Sequence, residues 1–147
     1  MTDYNNILVA IDFSDAVDTV IQKAVEVAHR NHTQFTVLHA VEFSPPPGIG
    51  YDLAPISDWT MYSEVLIKNA TESLKKLCDK HQLTEVKPVV VLGATKYEIC
   101  NYASEHDCDL IIMGSHGYHG IRRLLGSTAN GVLHEMPCDV MVVKITE

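Results

Sequence analysis

The sequence predicts an α/β fold: a single doubly wound, five-stranded parallel sheet of order 3-2-1-4-5 with helices on both faces. Three observations carry this expectation. Ile7-Leu8-Val9-Ala10-Ile11 and Leu110-Ile111-Ile112-Met113 are unbroken apolar runs, too short for helices and rich in β-branched residues, as strands buried on both faces are. Segments with apolar residues at helical spacing alternate with such runs along the chain, the pattern of parallel strands joined by crossover helices. With 147 residues the chain has the length of one domain, 1–147, enough to bury one core but not two.

Each element follows in order. Asp12 ends the first strand, and Ser14 or Asp15 is placed to cap a helix in which Ala16, Val17, Val20, Ile21, Ala24, Val25 and Ala28 recur at helical spacing. Phe35–Val41 is the second strand, and right-handed crossover makes it parallel to the first. From Phe43 to Asp58 the chain reads as irregular, with Pro45-Pro46-Pro47-Gly48 and a later Pro55; so long a connection suits a lid, a binding segment or a disordered insert. Tyr62, Leu66, Ala70, Leu74 and Leu77 then mark a long helix ending about His81. Val86–Leu92 is the third strand, its Pro88 suited to a sheet edge or a strand start, and Gly93 ends it. A helix around Tyr97–Ala103, a strand at Asp109–Met113, a helix with Ala129, Val132 and Leu133 on its apolar face and a last strand at Val140–Ile145 complete the alternation.

Composition excludes several function classes. A formal net charge of −8 and a pI near 5.4 argue against nucleic acid as a partner, which requires a concentrated basic face. The first residues show neither a basic signal-peptide start nor a membrane-length apolar stretch, so a cytoplasmic protein without a membrane partner is expected. Cys78, Cys100, Cys108 and Cys138 have no C-x-x-C spacing and fall in or beside apolar segments, as small buried hydrophobes do; neither disulfides nor zinc are expected. His116 and His119 stand three apart in a glycine-rich loop, but no carboxylate or cysteine accompanies them there, which argues against a metal.

The chemistry concentrates in Met113-Gly114-Ser115-His116-Gly117-Tyr118-His119-Gly120-Ile121-Arg122-Arg123-Leu124-Leu125-Gly126-Ser127-Thr128, a glycine loop between the fourth strand and the last helix. Glycines let backbone N–H groups approach an anion, and the helix that follows begins with unpaired N–H groups at the positive end of its dipole. The same glycines could simply turn the chain, with Ser127 capping the helix. Ligands in an open parallel sheet sit beyond the carboxyl ends of the strands, where strand order reverses. That rule puts Asp12, the segment from Ala40 and the Gly114–Gly126 loop on one rim. The turn after the first strand, Asp12-Phe13-Ser14-Asp15-Ala16, has no glycine, which disfavours a dinucleotide fingerprint or a Walker loop. A phosphoacceptor receiver domain would need an aspartate closing the third strand, where Leu92-Gly93-Ala94-Thr95 stands.

Strand-ending Asp12 with Phe13-Ser14, the Gly114-Ser115-His116-Gly117 loop, the Gly126-Ser127 helix start and the terminal Val140-Met141-Val142-Val143 together resemble a universal stress protein of the UspA superfamily, over nearly the whole chain. The resemblance implies a five-stranded Rossmann-like fold and, in one branch, binding of ATP or AMP through a glycine pattern written G-x-x-G, nine residues, G-S/T. It places Ala10, Ile11 and Asp12 on the adenine and ribose side and Ala40 against the base. Met113 also falls among the binding residues, Gly114, His116 and Gly117 hold ribose and inner phosphates, and Gly126, Ser127 and Thr128 hold the outer ones. A Mg²⁺ ion could join the phosphates, with Asp12 as a carboxylate for it; alternatively Asp12 is a strand-end acid bonded to neighbouring N–H groups. A side chain at Gly117 would fill the space of a phosphate, so Gly117→Val is expected to abolish nucleotide binding with the fold intact. Here the chain departs from the pattern: only eight residues, Tyr118–Leu125, separate Gly117 from Gly126. A residue less shortens the loop's reach by up to ~3.5 Å, which favours a ligand with fewer phosphates.

The function expected is a stress-response protein that binds an adenine nucleotide and acts as a sensor or partner-binding switch. The alternatives are a dimeric interaction module that binds no nucleotide and a slow ATPase. Phosphoryl transfer wants a phosphate-gripping lysine, and the loop has none; only His116 or His119 could serve as a base, so efficient catalysis is not expected. The last strand, almost uncharged, would lie at a sheet edge that invites pairing, and the resemblance implies a homodimer through it.

Overall fold

The computed structural model of the chain describes residues 3–42, 56–116 and 125–146, with the backbone alone for residues 56–59. The strands are β1 (Ile7–Ala10), β2 (Phe35–Val41), β3 (Lys87–Leu92), β4 (Leu110–Gly114) and β5 (Asp139–Val143). The helices between them are α1 (Val17–Arg30), α2 (Ile56–Lys80), α3 (Thr95–Glu105) and α4 (Ser127–Glu135). All strand pairs are parallel, in the order β3-β2-β1-β4-β5, as the sequence leads one to expect. Register brings Ala10 beside Leu38 and Val9 beside Ile112.

Strand β1 is the centre of the sheet and is buried throughout, because successive side chains enter opposite faces and both faces are covered. Ile7, Val9 and Ile11 join Val20, Ile21 and Ala24 of α1 and Leu74 and Leu77 of α2 in one apolar cluster. Leu8 and Ala10 join Ile99 and Ala103 of α3 and Ala129 and Val132 of α4 in the other. Pro88 lies near the start of β3, an edge strand bonded among the described residues to β2 alone, where a missing N–H is tolerated. At Gly93, φ is +154°, a backbone conformation that L side chains rarely adopt, so the turn out of β3 favours glycine.

Several boundaries differ from the sequence reading for local reasons. Neither Ser14 nor Asp15 caps α1: Ala16 holds the N-cap position without a side-chain bond. Ser14 is instead part of the preceding turn, its N–H donating to Asp12 Oδ1 at 3.2 Å and its carbonyl accepting from Val17 N–H at 3.1 Å. Nor does Ser127 cap α4; Gly126 is its N-cap and Ser127 its first residue. Helix α2 starts at Ile56, inside the stretch that reads as irregular to Asp58, directly after Pro55 in the sequence and so where a helix can open after a proline. Strand β5 stops at Val143 because the Ile145 N–H turns to the Ser115 hydroxyl, at 3.1 Å, and leaves the ladder. Among the described residues no helix is long and apolar enough to cross a membrane.

Candidate functional site

A cavity of about 590 Å³ opens beyond the carboxyl ends of β1, β2 and β4, where the chain order reverses between β1 and β4. That volume falls among small-molecule sites. Short side chains make the space. On the α3/α4 face, the upper end of the sheet carries Ala10 and Ala40, and α4 sets Ala129 opposite them, each buried and each on the cavity wall. At the same end the other cluster packs Ile11, Val20 and Val143 together. Methyl groups cannot close the gap between layers as branched aliphatic chains do.

The predicted site residues Ala10, Ile11, Asp12, Ala40, Met113, Gly114, His116, Gly126, Ser127 and Thr128 all line this cavity. Gly117, His119, Gly120, Arg122, Arg123 and the proline-rich stretch through Pro55 lie outside the described residues. Among the described residues, no three His, Cys, Asp or Glu side chains gather where they could hold a metal ion.

One wall is the start of α4. Its first in-helix bond runs from Asn130 N–H to Gly126 O at 2.9 Å, so the amides of Ser127, Thr128 and Ala129 stand before the first closed turn. Those amides and the helix dipole make this end of the cavity electropositive. The Gly126 amide is already engaged, donating to Ser115 O at 2.7 Å. That bond clamps the two ends of the glycine loop together, and a Cβ on Gly126 would come within 3.1 Å of His116 Cα and 3.3 Å of Ser115 O. Ser115 is tied in turn to the end of β5: its N–H donates to Val143 O at 2.9 Å, and its hydroxyl accepts from Ile145 and lies 3.1 Å from His116 Nδ1. Gly114 is closely packed on its other side: a Cβ there would lie 3.3 Å from Val20 Cγ2 and at ordinary contact, 3.6 Å, from Ile145.

The opposite wall is acidic. Asp12 stands two residues past β1, with Oδ1 bonded to Ser14 N–H and Oδ2 without a partner among the described residues. Behind this turn His39 Nδ1 lies 3.0 Å from Ile11 O; a carbonyl only accepts, so that nitrogen carries the proton. The His39 ring also packs on Phe13, centroids 4.5 Å apart. The two contacts fasten the turn that carries Asp12.

Glu42, just past β2, also lines the cavity, and the sequence reading missed it. Its Oε1 accepts from Thr95 N–H at 3.0 Å and from the Thr95 hydroxyl at 2.9 Å. Helix α3 has no side-chain cap of its own at Ala94, so Glu42 supplies from a neighbouring strand the acceptor that the helix start lacks. The Thr95 amide first, and its hydroxyl second, hold the Glu42 carboxyl below its ordinary range. Thr95 and Ser14, both on the cavity wall, were missed as well. The rim rule that singled out Asp12 extends to a residue closing strand two and to one opening the helix after strand three, which is the signal these positions carried.

A family model for the universal stress proteins matches residues 3–144. The chain belongs to that family. Among relatives, the universal stress protein A homolog 1 of Coxiella burnetii is 35% identical over 144 residues, covering 98% of this chain and 99% of that one. The solved universal stress protein UspA from Lactobacillus plantarum matches with a TM-score of 0.79 at 28% identity, over 97% of this chain and 99% of the other. A universal stress protein solved in complex with cAMP shares the fold, with a TM-score of 0.68 and 21% identity over 99% of this chain and 100% of that one. The likeness that the sequence shows at Asp12, Gly114–Gly117 and Gly126-Ser127 thus holds at the level of the universal stress family and of its five-stranded architecture.

Proposed function

We propose that this universal stress protein binds an adenine nucleotide, ATP or AMP, in the crevice between β1 and α4. On this reading it acts in the cytoplasm as a sensor or partner-binding switch without efficient turnover. The observation that carries the reading is the polarity of the cavity: helix-start amides at one end, carboxylates at the other, and an apolar alanine floor between them. A phosphate group fits the Ser127 and Thr128 end, where amides, hydroxyls and dipole favour an anion. Ribose hydroxyls fit Asp12, the base fits the floor at Ala40, and Met113 lines the cavity on the β4 side. With its amide turned to Ser115, Gly126 shapes the helix start, and Ser127 and Thr128 are the donors. A Mg²⁺ ion would enter with the phosphates. A related universal stress protein holds cAMP, which supports an adenine-containing ligand in this fold. Strand β5, at the sheet edge and paired among the described residues with β4 alone, supports a homodimer through the same strand of a second copy.

The test is to denature the purified protein, look for released nucleotide by mass spectrometry, and titrate the emptied protein calorimetrically with AMP, ADP and ATP. Saturable heat with one of them is the expected result. The engaged Gly126 amide and the shortened loop favour one competing reading, a dimeric interaction module without a nucleotide. Absence of both released nucleotide and titration heat would select it.

A further inference from the structure

We propose that Glu42 reads the exocyclic amino group of the bound base and so makes the site prefer adenine nucleotides to hypoxanthine ones. The proposal rests on the nucleotide reading above and deepens it. The sheet itself is the ruler. Strands β2, β1 and β4 are neighbours, and at about 4.8 Å per strand the ends of β2 and β4 stand roughly 9.6 Å apart. With the anionic end of the ligand held at the start of α4, beside β4, its ribose falls over β1 and its base over β2. The order of rim residues matches that order of groups: Ser127 and Thr128, then Asp12, then Ala40 with Glu42.

Ala40 is in β2 and Glu42 is the first residue past it; both line the cavity, and the bonds to Thr95 hold the Glu42 carboxylate at the start of α3. A base resting on the Ala40 methyl group therefore presents its outer edge to the Glu42 carboxylate. That carboxylate is oriented in advance. Both Thr95 bonds go to Oε1, while Oε2 has no partner among the described residues. An ionised carboxylate can only accept hydrogen bonds. Adenine offers it the N6 amino donor; hypoxanthine carries a carbonyl oxygen at the same ring position, and two acceptors facing each other repel. The same negative charge keeps phosphates from that end of the cavity and fixes the direction in which a nucleotide lies.

Calorimetric titration of wild type and Glu42→Gln with AMP and with IMP tests this. Glutamine keeps an oxygen for the Thr95 bonds and turns an NH₂ donor toward the base, so the acceptor becomes a donor. Wild type should bind AMP about tenfold or more tightly than IMP, the worth of one hydrogen bond to a charged group. In Glu42→Gln the AMP affinity should fall about tenfold while IMP gains, erasing or reversing the preference. Glu42→Ala, with neither donor nor acceptor, should bring the AMP:IMP ratio close to one. Glu42→Gln keeps the acceptor for Thr95 and should melt near wild type; Glu42→Ala removes it from the start of α3 and should melt a few degrees lower, so its affinities are compared as the AMP:IMP ratio below that transition. An AMP:IMP ratio unchanged in both variants would overturn the role of Glu42 and leave the nucleotide reading standing. Wild type that binds neither nucleotide would overturn both.

Discussion

The two faces of the sheet are built from the same strands, yet they solve different problems. On the α1/α2 face, Ile7, Val9, Ile11, Val37, Leu74 and Ile112 interlock as large side chains from the bottom of the sheet to its top. On the α3/α4 face, Leu8, Leu38, Ile99 and Ile111 do the same in the lower layers, but the top layer is Ala10, Ala40 and Ala129, and there the packing opens into a cavity. Ala10, the last residue of β1, leaves room on the α3/α4 face, while Ile11, one residue past the strand, packs with the α1/α2 cluster and also lines the cavity. Stability is thus concentrated where side chains are large. Room for a ligand appears where they are small and where a helix start and two carboxylates look inward.

Four substitutions would break or sharpen this contrast. The largest effect belongs to Ile112→Ala, fully buried in the filled face, which should lower unfolding free energy by about 2–5 kcal/mol in urea titration. A loss well under that would show this face to be less tightly packed than its contacts imply. Ala40→Leu, which grows into the open cavity, should cost nucleotide affinity about tenfold or more in calorimetry while changing stability by about 1 kcal/mol or less. Should affinity survive it, the base does not rest there. Gly126→Ala brings a Cβ against the backbone of His116 and Ser115. The loop clamp must shift by a few tenths of an ångström, so affinity should fall several-fold and stability by about 1 kcal/mol.

The smallest effect concerns the solvent side of the filled face. Asp18 of α1 accepts from Lys80 Nζ at 2.8 Å and lies 2.6 Å from His81 Nε2, tying α1 to the end of α2. The Lys80 bond first, and the His81 bond second, lower the Asp18 carboxyl below its ordinary value. A lowered carboxyl contributes stability above its unfolded pKa and loses it as pH falls through the folded one. Asp18→Asn should therefore lower the melting temperature by about 2 °C or less at neutral pH, the side chain being 41% exposed and screened. The difference from wild type should close on acidification below the carboxylate range; a gap that persists in acid would assign it to packing.

Much of the architecture was legible because it depends on local periodicity. The apolar runs at Ile7–Ile11 and Leu110–Met113, the helical spacing through Val20, Ile21 and Ala24, and the absence of glycine after β1 all act within a few residues. Glu42 was not legible as a site residue, since its role comes from Thr95, fifty-three positions away and brought near by the β2–β3 pairing. Ser115 was read as part of a glycine motif, but its hydroxyl and amide hold the end of β5. Ser14 has the residue type of a cap, but it stands in the turn before α1, its N–H bonded to Asp12 and its carbonyl accepting from Val17, and Ala16 takes the N-cap position.

By itself the sequence determined the alternation of strands and helices, the family, and the rim on which polar groups gather, because period and punctuation are properties of neighbouring residues. Only the tertiary structure decided that three alanines from β1, β2 and α4 meet to leave a cavity, that the Gly126 amide faces Ser115, and that Glu42 caps α3. Those depend on which side chains stand opposite one another across layers, a relation that spacing along the chain does not encode.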